Sequence, residues 1–168
     1  MKTLKHIKKS VMEIAQLLAQ NDNIVKLLYN DKADALAEAK PDVSLNTLIQ
    51  DHYICICAPV ESGIKETWKN TFLTILLDTG YFSRQDDNTS TTIKIYVTTD
   101  EQHLQLENNK NRLFELMDEV ITTLDGKKLS SAGKINVNSF AHTMLSEFRF
   151  AYIISIGFTD QVTKDIEI

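Results

Sequence analysis

Thr91-Thr-Ile-Lys-Ile-Tyr-Val-Thr98 is the stretch that decides the fold of this chain, together with the residues that follow it as far as position 158. Ile93, Ile95 and Val97 fall on one face of an extended chain, and Thr92, Lys94 and Tyr96 fall on the other. This alternation, with a period of about two residues, predicts a β-strand that buries one face.

A helix is predicted next, from about Asn111 to Leu124. Its apolar residues recur at spacings of three and four, which places them on one helix face. They are Leu113, Leu116, Met117, Val120, Ile121 and Leu124. Asn108 or Asn109 can cap the beginning of this helix, and Gly126 stands where a left-handed residue ends many helices.

Two more strands are predicted after this helix, from Ile135 to about Phe140 and from Phe148 to Phe158. In the second of them the large side chains share one face and small ones share the other, except for Ile153. The large residues are Phe148, Phe150, Tyr152, Ile154, Ile156 and Phe158. A sheet with helices packed on one face would have this pattern.

The N-terminal half of the chain predicts helices first and strands afterwards. An amphipathic pattern predicts a helix from about Thr3 to Gln20, and a second, short helix ends near Tyr29. Two apolar runs, His52–Ala58 and Thr71–Asp78, predict strands, the first of them buried on both faces. The chain is therefore expected to be α+β: a mixed, mainly antiparallel sheet of four to five strands with one face packed by helices.

Polar connectors separate these elements. Asp31–Asp42 is interrupted by Pro41 and carries no evident buried anchor, and a short helical or turn segment is expected at Leu45–Ile49. Asp78–Ser90 is expected to join two antiparallel strands as an extended loop that is either mobile or held by a partner. A third connection, Thr143–Glu147, is expected between the last two strands.

The composition fits one domain over residues 1–168, whose basic start (1–10) and polar tail (161–168) could be mobile. The net charge is −5 and the pI is near 5.3, which argues against a nucleic-acid-binding domain. Two cysteines form no disulfide framework, and no signal peptide or membrane-spanning run is visible. We therefore expect a protein made in a reducing cytoplasm and not attached to a membrane.

Residues that could carry chemistry are present, but they form no known catalytic or cofactor-binding motif. Cys55 and Cys57 share one face of a strand and are better explained as structural thiols than as metal ligands. Glu115, Asp118 and Glu119 could form a carboxylate pair, although a solvated helix face is the better explanation. We expect no enzyme, no catalytic residue, no metal site and no cofactor.

Several stretches carry a family resemblance. They are Asn23-Ile-Val-Lys-Leu-Leu-Tyr-Asn-Asp-Lys32, Pro41-Asp42, Lys94-Ile-Tyr-Val-Thr98 and Gly133-Lys-Ile-Asn-Val137. With the order of the predicted elements, they resemble the tail-terminator and head–tail joining (neck) proteins of tailed bacteriophages over residues 11 to 160. The chain departs from that pattern in its basic start, its longer Asp31–Asp42 connector and its polar tail.

The resemblance implies a structural virion protein that forms a ring, usually a hexamer, which caps the tail tube and joins it to the head. The implied partners are other copies of the chain, the tail tube protein and the neck or connector proteins. Genome DNA would pass through the ring without specific binding, and the acidic net charge agrees with that. The implied location is the tail and neck of the virion, and the host cytoplasm during assembly.

We predict that a polar loop makes the assembly contacts. Its residues are Tyr81, Phe82, Arg84, Asp86 and Asp87. Another neck connector or a tail-completion protein is an alternative within the same class. A small ligand-binding α+β domain is an alternative of another class, and it would need a pocket with convergent polar groups. Binding of nucleic acid through the lysine-rich start is a further alternative, and its affinity would depend on salt.

Overall fold

The fold is α+β, as the sequence predicts, with helices mainly in the N-terminal half and strands mainly in the C-terminal half. The computed structural model describes residues 5–56, 69–82 and 88–161. The elements are, in chain order, α1 (Lys5–Gln20), α2 (Asp22–Tyr29), α3 (Leu45–Gln50), β1 (Ile54–Ile56), β2 (Thr71–Phe82), β3 (Asn88–Asp100), α4 (Arg112–Leu124), β4 (Asn136–Ser146) and β5 (Arg149–Gln161). Two 3₁₀ turns, Glu101–His103 and Glu107–Asn109, lie between β3 and α4.

The sheet has five strands in the order β1-β2-β3-β5-β4, and β3 is at its centre. β1 runs parallel to β2, and every other neighbouring pair is antiparallel. Ile95 of β3 lies opposite Ile75 of β2 and Ile154 of β5, and all three are fully buried. The alternating residues of Thr91–Thr98 therefore form the middle of the core, as predicted.

The helices cover one face of this sheet. The apolar side of α4 packs against α1, α2 and strands β3 and β5, so one continuous core joins all these elements. Its fully buried helical residues include Ile14, Leu18, Leu27, Leu28, Leu48, Leu116, Val120 and Leu124. The other face of the sheet carries half-exposed residues such as Lys94 and Tyr96 in its middle.

The predicted N-cap of α4 is wrong, whereas the predicted glycine after its C-terminus is confirmed. Asn111 is the N-cap, because its side chain accepts hydrogen bonds from the backbone N–H groups of Leu113 and Phe114. Asn108 and Asn109, which the sequence predicts as caps, instead adopt the left-handed conformation in the preceding 3₁₀ turn. Gly126 has a φ of +77°, as expected for a glycine after a helix.

The hairpin between β2 and β3 is tighter than predicted. β2 continues to Phe82 and β3 begins at Asn88, so most of Asp78–Ser90 is strand and not an extended loop. Threonine and serine keep an extended backbone when neighbouring strands supply the hydrogen bonds, although their polarity suggests a loop. Residues 83–87 lie outside the described part of the chain.

The connection between β4 and β5 is also shorter than predicted. β4 continues to Ser146, so the predicted Thr143–Glu147 connection is strand, apart from a turn at Glu147 and Phe148. Phe148 therefore does not share the packed face of β5; it is exposed in this turn. The large residues of β5 from Phe150 onwards do share one face, as predicted.

The connector Asp31–Asp42 is anchored, contrary to the sequence prediction. Ala35 is fully buried, and the carbonyl of Ala33 accepts a 3.0 Å hydrogen bond from the N–H of Glu107. The predicted first strand begins at Ile54 and not at His52, and within Ile54–Ile56 only Ile54 is fully buried; residues 57 and 58 of the predicted strand lie outside the described residues. In the connector, Ala35 is small enough to enter the core, although the residues around it show no apolar periodicity that would predict its burial.

Arg112, in the first turn of α4, is fully buried and is the largest buried side chain of the described residues. Its Nε donates to the carbonyl of His103 at 2.8 Å, and its Nη1 donates to those of Leu27 and Asn30 at 2.8 and 2.7 Å. Its Nη2 donates to the carbonyl of Lys32 at 2.6 Å. One guanidinium thus ties together the end of α2, the connector, a 3₁₀ turn and α4.

Replacing Arg112 tests this arrangement. We expect Arg112→Met to lower the free energy of unfolding by about 3–5 kcal/mol, because four backbone carbonyls, all buried or partly buried, lose a charged donor. Arg112→Lys should cost less than Arg112→Met, because an ammonium keeps the positive charge but lacks the planar guanidinium fork. Urea unfolding measures both. Lys110→Met, which breaks a surface ion pair with Glu115, is the control and should cost less than about 1 kcal/mol. An Arg112→Met variant as stable as the control would contradict this role.

Candidate functional site

A polar network lies beside Arg112 at one end of the sheet. The Nδ1 of His103 is 2.5 Å from a carboxylate oxygen of Asp100, and its Nε2 is 3.4 Å from the amide nitrogen of Asn70. The same amide nitrogen donates to Asp31 at 2.7 Å. An aspartate–histidine pair can serve as a catalytic base, but here Nε2, the atom that would accept a proton, faces an amide already engaged with the fold.

The network adds to the stabilisation of Arg112. Burial lowers the pKa of Arg112, and the negative charges of Asp31 and Asp100 oppose that effect. Sequence reasoning missed both the polar network and the burial of Arg112. The spacing of Asp100 and His103 was a detectable signal, but an arginine at the beginning of an amphipathic helix looks like an ordinary surface residue.

The carboxylates of α4 have different surroundings, so no carboxylate pair forms there. Glu119 accepts hydrogen bonds from the amides of Asn21 and Asn23, at 2.9 and 2.7 Å, and thereby holds the beginning of α2. The predicted solvated face is therefore wrong for Glu119, which has a structural role. It is right for Asp118, which is exposed. Glu115 is 3.0 Å from Lys110.

Cys55 is half-buried in β1, and its thiol contacts the carbonyl of His52 at 3.6 Å. Burial raises the pKa of Cys55, although a hydrogen bond with Thr74 works in the opposite direction. A thiol of this kind is a weak nucleophile. Cys57 lies outside the described residues, and within them no cluster of histidine, cysteine or carboxylate side chains could hold a metal ion.

A cleft of about 420 Å³ lies between α1 and the segment that follows α4. Its lining includes Lys9, Glu13 and Gln16. Glu13 is already engaged, because it accepts hydrogen bonds from both the backbone N–H and the hydroxyl of Ser130. Burial would raise the pKa of Glu13, but these hydrogen bonds and nearby Lys9 hold it below its usual value. The acid of this cleft therefore stabilises the fold.

The predicted assembly loop lies at the tip of the β2–β3 hairpin. Tyr81 and Phe82 are the last residues of β2, opposite Ser90 and Thr89 of β3. The other predicted contact residues, 84, 86 and 87, lie outside the described residues, so their role stays a prediction.

Exposed apolar side chains are concentrated around β4. Phe140 and Met144 of β4 are 59% and 54% exposed, and Phe114 of α4 is 51% exposed. Tyr152 of β5 connects Phe114 and Phe140, since its ring centroid lies 5.7 Å from that of Phe114 and 6.3 Å from that of Phe140. The His142 ring of β4 also lies against Tyr152, at 5.4 Å. We call Phe114, Phe140, Met144 and Tyr152 the β4 patch. Such a contiguous apolar surface is characteristic of interaction sites.

The outer side of β4 lacks protective side chains, although bulges interrupt the strand at Val137/Ser139 and at Met144/Ser146. β4 forms one end of the sheet, and none of the described strands lies on its outer side. From Asn136 to Ser146 the strand carries no Asp, Glu, Lys, Arg or Pro, which are the residues that commonly prevent edge strands from pairing. We call this outer side the β4 edge.

At the opposite end of the sheet, part of β2 also lacks a described neighbour on one side. β1 pairs only with Leu73–Ile75, so β2 from Leu76 to Phe82 has no neighbouring strand on that side among the described residues. We call this stretch the β2 edge. Its charged residue, Asp78, lies 3.0 Å from Lys94, which neutralises it.

These features define a small α+β protein with an apolar patch beside β4, which is the last strand of the sheet among the described residues. Residues 21–158 match the model of the YomW family, and the chain belongs to that family. YomW is a Bacillus phage-derived family, so the phage origin implied by the resemblance is supported. A search of curated proteins found no match. Within the described residues, no helix has the length and apolar character needed to cross a membrane.

Acid unfolding tests the role assigned to Glu13. Its pKa is lowered in the folded protein, so its contribution to stability is present above the unfolded-state pKa and is lost as the pH falls through the folded-state pKa. We expect Glu13→Gln to cost less than about 1 kcal/mol at pH 7, because the group is only partly buried. Urea unfolding at neutral and acidic pH should show a smaller acid effect in this variant. Asp118→Asn is the control, and equal acid effects in both variants would contradict the assignment.

Proposed function

We propose that this chain is a structural virion protein, a tail terminator, which forms a ring on the end of the phage tail tube and joins the tail to the head. The observation that carries the proposal is a surface suited to self-association: an apolar patch beside β4, an uncharged strand whose outer side faces no other described strand. Membership of a phage-derived family supports the phage origin that the proposal assumes.

The mechanism is geometric. A closed ring forms when one surface of a subunit binds a different surface of the next, so that each subunit has two neighbours and none is left unpaired. A ring of this kind on the last layer of a tube would cover the surface to which further tube subunits bind. Its outer side would then be free for the neck proteins.

The polar groups of the molecule agree with a structural role. The buried arginine, the aspartate–histidine pair, Glu13 and Glu119 all hold elements of the fold together. The hairpin tip that includes Tyr81 and Phe82 lies at the far end of the sheet from Arg112. It is the segment that we assign to contacts with the tube.

Solution mass and tube binding test the proposal. Light scattering across a concentration series, followed by negative-stain imaging, should give closed rings of defined copy number, and these should bind the ends of isolated tail tubes. Binding to portal-side proteins instead of tubes would favour a neck connector. A chain that stays monomeric, binds neither partner and binds a small molecule in the α1 cleft would overturn the proposal in favour of the ligand-binding alternative.

The hairpin tip can be tested separately. We expect replacement of both Asp86 and Asp87 by lysine to impair tube binding while the unfolding transition stays unchanged, because a reversed charge repels the surface that the acids met. The control replaces two exposed acids elsewhere, Asp51 and Asp118, with lysine, so that its net charge equals that of the test variant. Equal tube binding by both variants in a co-sedimentation assay would contradict the assignment.

A further inference from the structure

We propose that a cluster of lysines near the beginning of α1 binds the phosphate backbone of double-stranded DNA. Its members come from two segments that lie far apart in the sequence. They are Lys8, Lys9, Lys127, Lys128 and Lys134, which we call the basic cluster. The choice of DNA as the ligand rests on the proposed function, in which the genome passes through the assembled ring, whereas the cluster itself requires no ring.

The fold brings the two segments of the basic cluster together. The hydroxyls of Ser10 and Ser131 are 2.9 Å apart, although 121 positions separate these residues in the chain. Lys9 and Lys128 both line the cleft between α1 and the segment that follows α4. An antiparallel backbone bridge pairs Lys128 with Lys134, so the later lysines lie beside those of α1. The sequence shows two separate basic stretches, and the structure joins them into one surface.

The side chains of the basic cluster are available to a ligand. All five are exposed. Lys9 is 3.9 Å from a carboxylate oxygen of Glu13, but that carboxylate already accepts hydrogen bonds from Ser130. The other four lysines form no ion pair with any described residue. Their positive charges are therefore not neutralised within the described part of the chain.

Lysines elsewhere in the described ranges are engaged with other groups. Lys26 donates to the carbonyl of Leu36, and Lys69 lies 4.6 Å from the centre of the Tyr53 ring. Four more form ion pairs with acids: Lys32, Lys40, Lys94 and Lys110. Uncompensated lysine charge is thus concentrated in the basic cluster.

The two segments have the opposite charge to the rest of the chain. Lys5–Gln20 and Asp125–Lys134 together contain six lysines, no arginine and two acids, Glu13 and Asp125, which gives a net charge of +4. Because the whole chain has a net charge of −5, the remaining residues carry −9. A polyanion is therefore attracted to this one surface and repelled by the rest of the molecule.

A nucleic acid suits this surface better than an acidic protein does. Lysine is depleted at protein–protein interfaces, and paired recognition of carboxylates favours arginine, which the cluster lacks. Lysines clustered on one surface are instead characteristic of nucleic-acid binding. Double-stranded DNA carries one phosphate charge per about 1.7 Å of its axis, so neighbouring lysines find neighbouring phosphates. Such contacts carry no sequence information, which agrees with DNA that passes through a ring without specific binding.

The salt dependence of DNA binding tests the proposal on the full chain. Fluorescence anisotropy with a labelled DNA duplex of about two helical turns measures the affinity at a series of salt concentrations. Each phosphate that a lysine neutralises adds about −0.9 to the slope of log affinity against log salt, so five contacts predict a slope of about −4.5. The affinity should then fall roughly 500-fold between about 50 and 200 mM salt. A second duplex of different sequence should bind with the same affinity.

Two double variants test the two segments separately. One carries Lys8→Gln and Lys9→Gln, and the other carries Lys127→Gln and Lys128→Gln. Each should make the slope shallower by about 1.8, because two phosphate contacts are lost. Urea unfolding should give the wild-type transition for both, since all four side chains are exposed. Light scattering checks that every variant has the same mass as the wild type.

The matched control carries Lys32→Gln and Lys40→Gln. It changes the net charge by the same amount, but it removes lysines that are already paired with acids. We expect its slope and affinity to equal those of the wild type. Equal losses in the control and in the cluster variants would overturn the proposal, because net charge alone would then account for binding.

The remaining outcomes separate this inference from the proposed function. A wild-type chain that binds no duplex up to about 1 mM protein at about 50 mM salt would overturn the DNA contact and leave the tail-terminator proposal standing. Displacement of the DNA by polyglutamate at equal charge concentration would overturn it in favour of an acidic protein partner. Binding that is lost only in the cluster variants would support it, whether or not the chain forms rings.

Discussion

The packing of the helices depends on one buried cation, Arg112, whose guanidinium binds four backbone carbonyls. A positive charge at the beginning of α4 is unfavourable for that helix, but the same charge lies at the end of α2, where the helix dipole attracts it. The carbonyls of Leu27 and Asn30 have no helical partner at that end, so the arginine both gains and supplies stabilisation. α2 and α4 are thereby held in one relative position.

This fixed position determines what the sheet exposes. α4 is held at its beginning by Arg112 and near its middle by the hydrogen bonds of Glu119 to Asn21 and Asn23. Its apolar side faces β3 and β5, and Phe114 lies at its margin against Tyr152. The helical layer reaches only part of β4, so Phe140 and Met144 of that strand stay in contact with solvent.

Periodicity predicted the parts of the fold in which burial follows local pattern, and it failed where burial follows from a distant partner. Ile95 alternates with polar residues and Ile154 with mostly small ones, and both are in the core as predicted. The strand ends were wrong, because the neighbouring strand and not the local polarity decides whether threonines near Thr89 stay extended. The apolar residues of β4 were predictable, but their exposure was not. Nothing in the sequence near Phe140 shows that its strand is the last one in the sheet. Arg112 could not be assigned for the same reason: its four acceptors come from three other segments.

The lack of charge on β4 contrasts with the charge content of the rest of the chain. The chain has 41 charged side chains among 168 residues, and still none occurs in the 11 residues of its exposed edge strand. An edge of this kind would aggregate unless its partner covered it, so an ordinary monomer benefits from a lysine there. A chain whose edge must join a neighbour cannot accept that lysine. The uncharged edge therefore fits the self-association that we propose, because a neighbouring strand would meet no charge repulsion along β4.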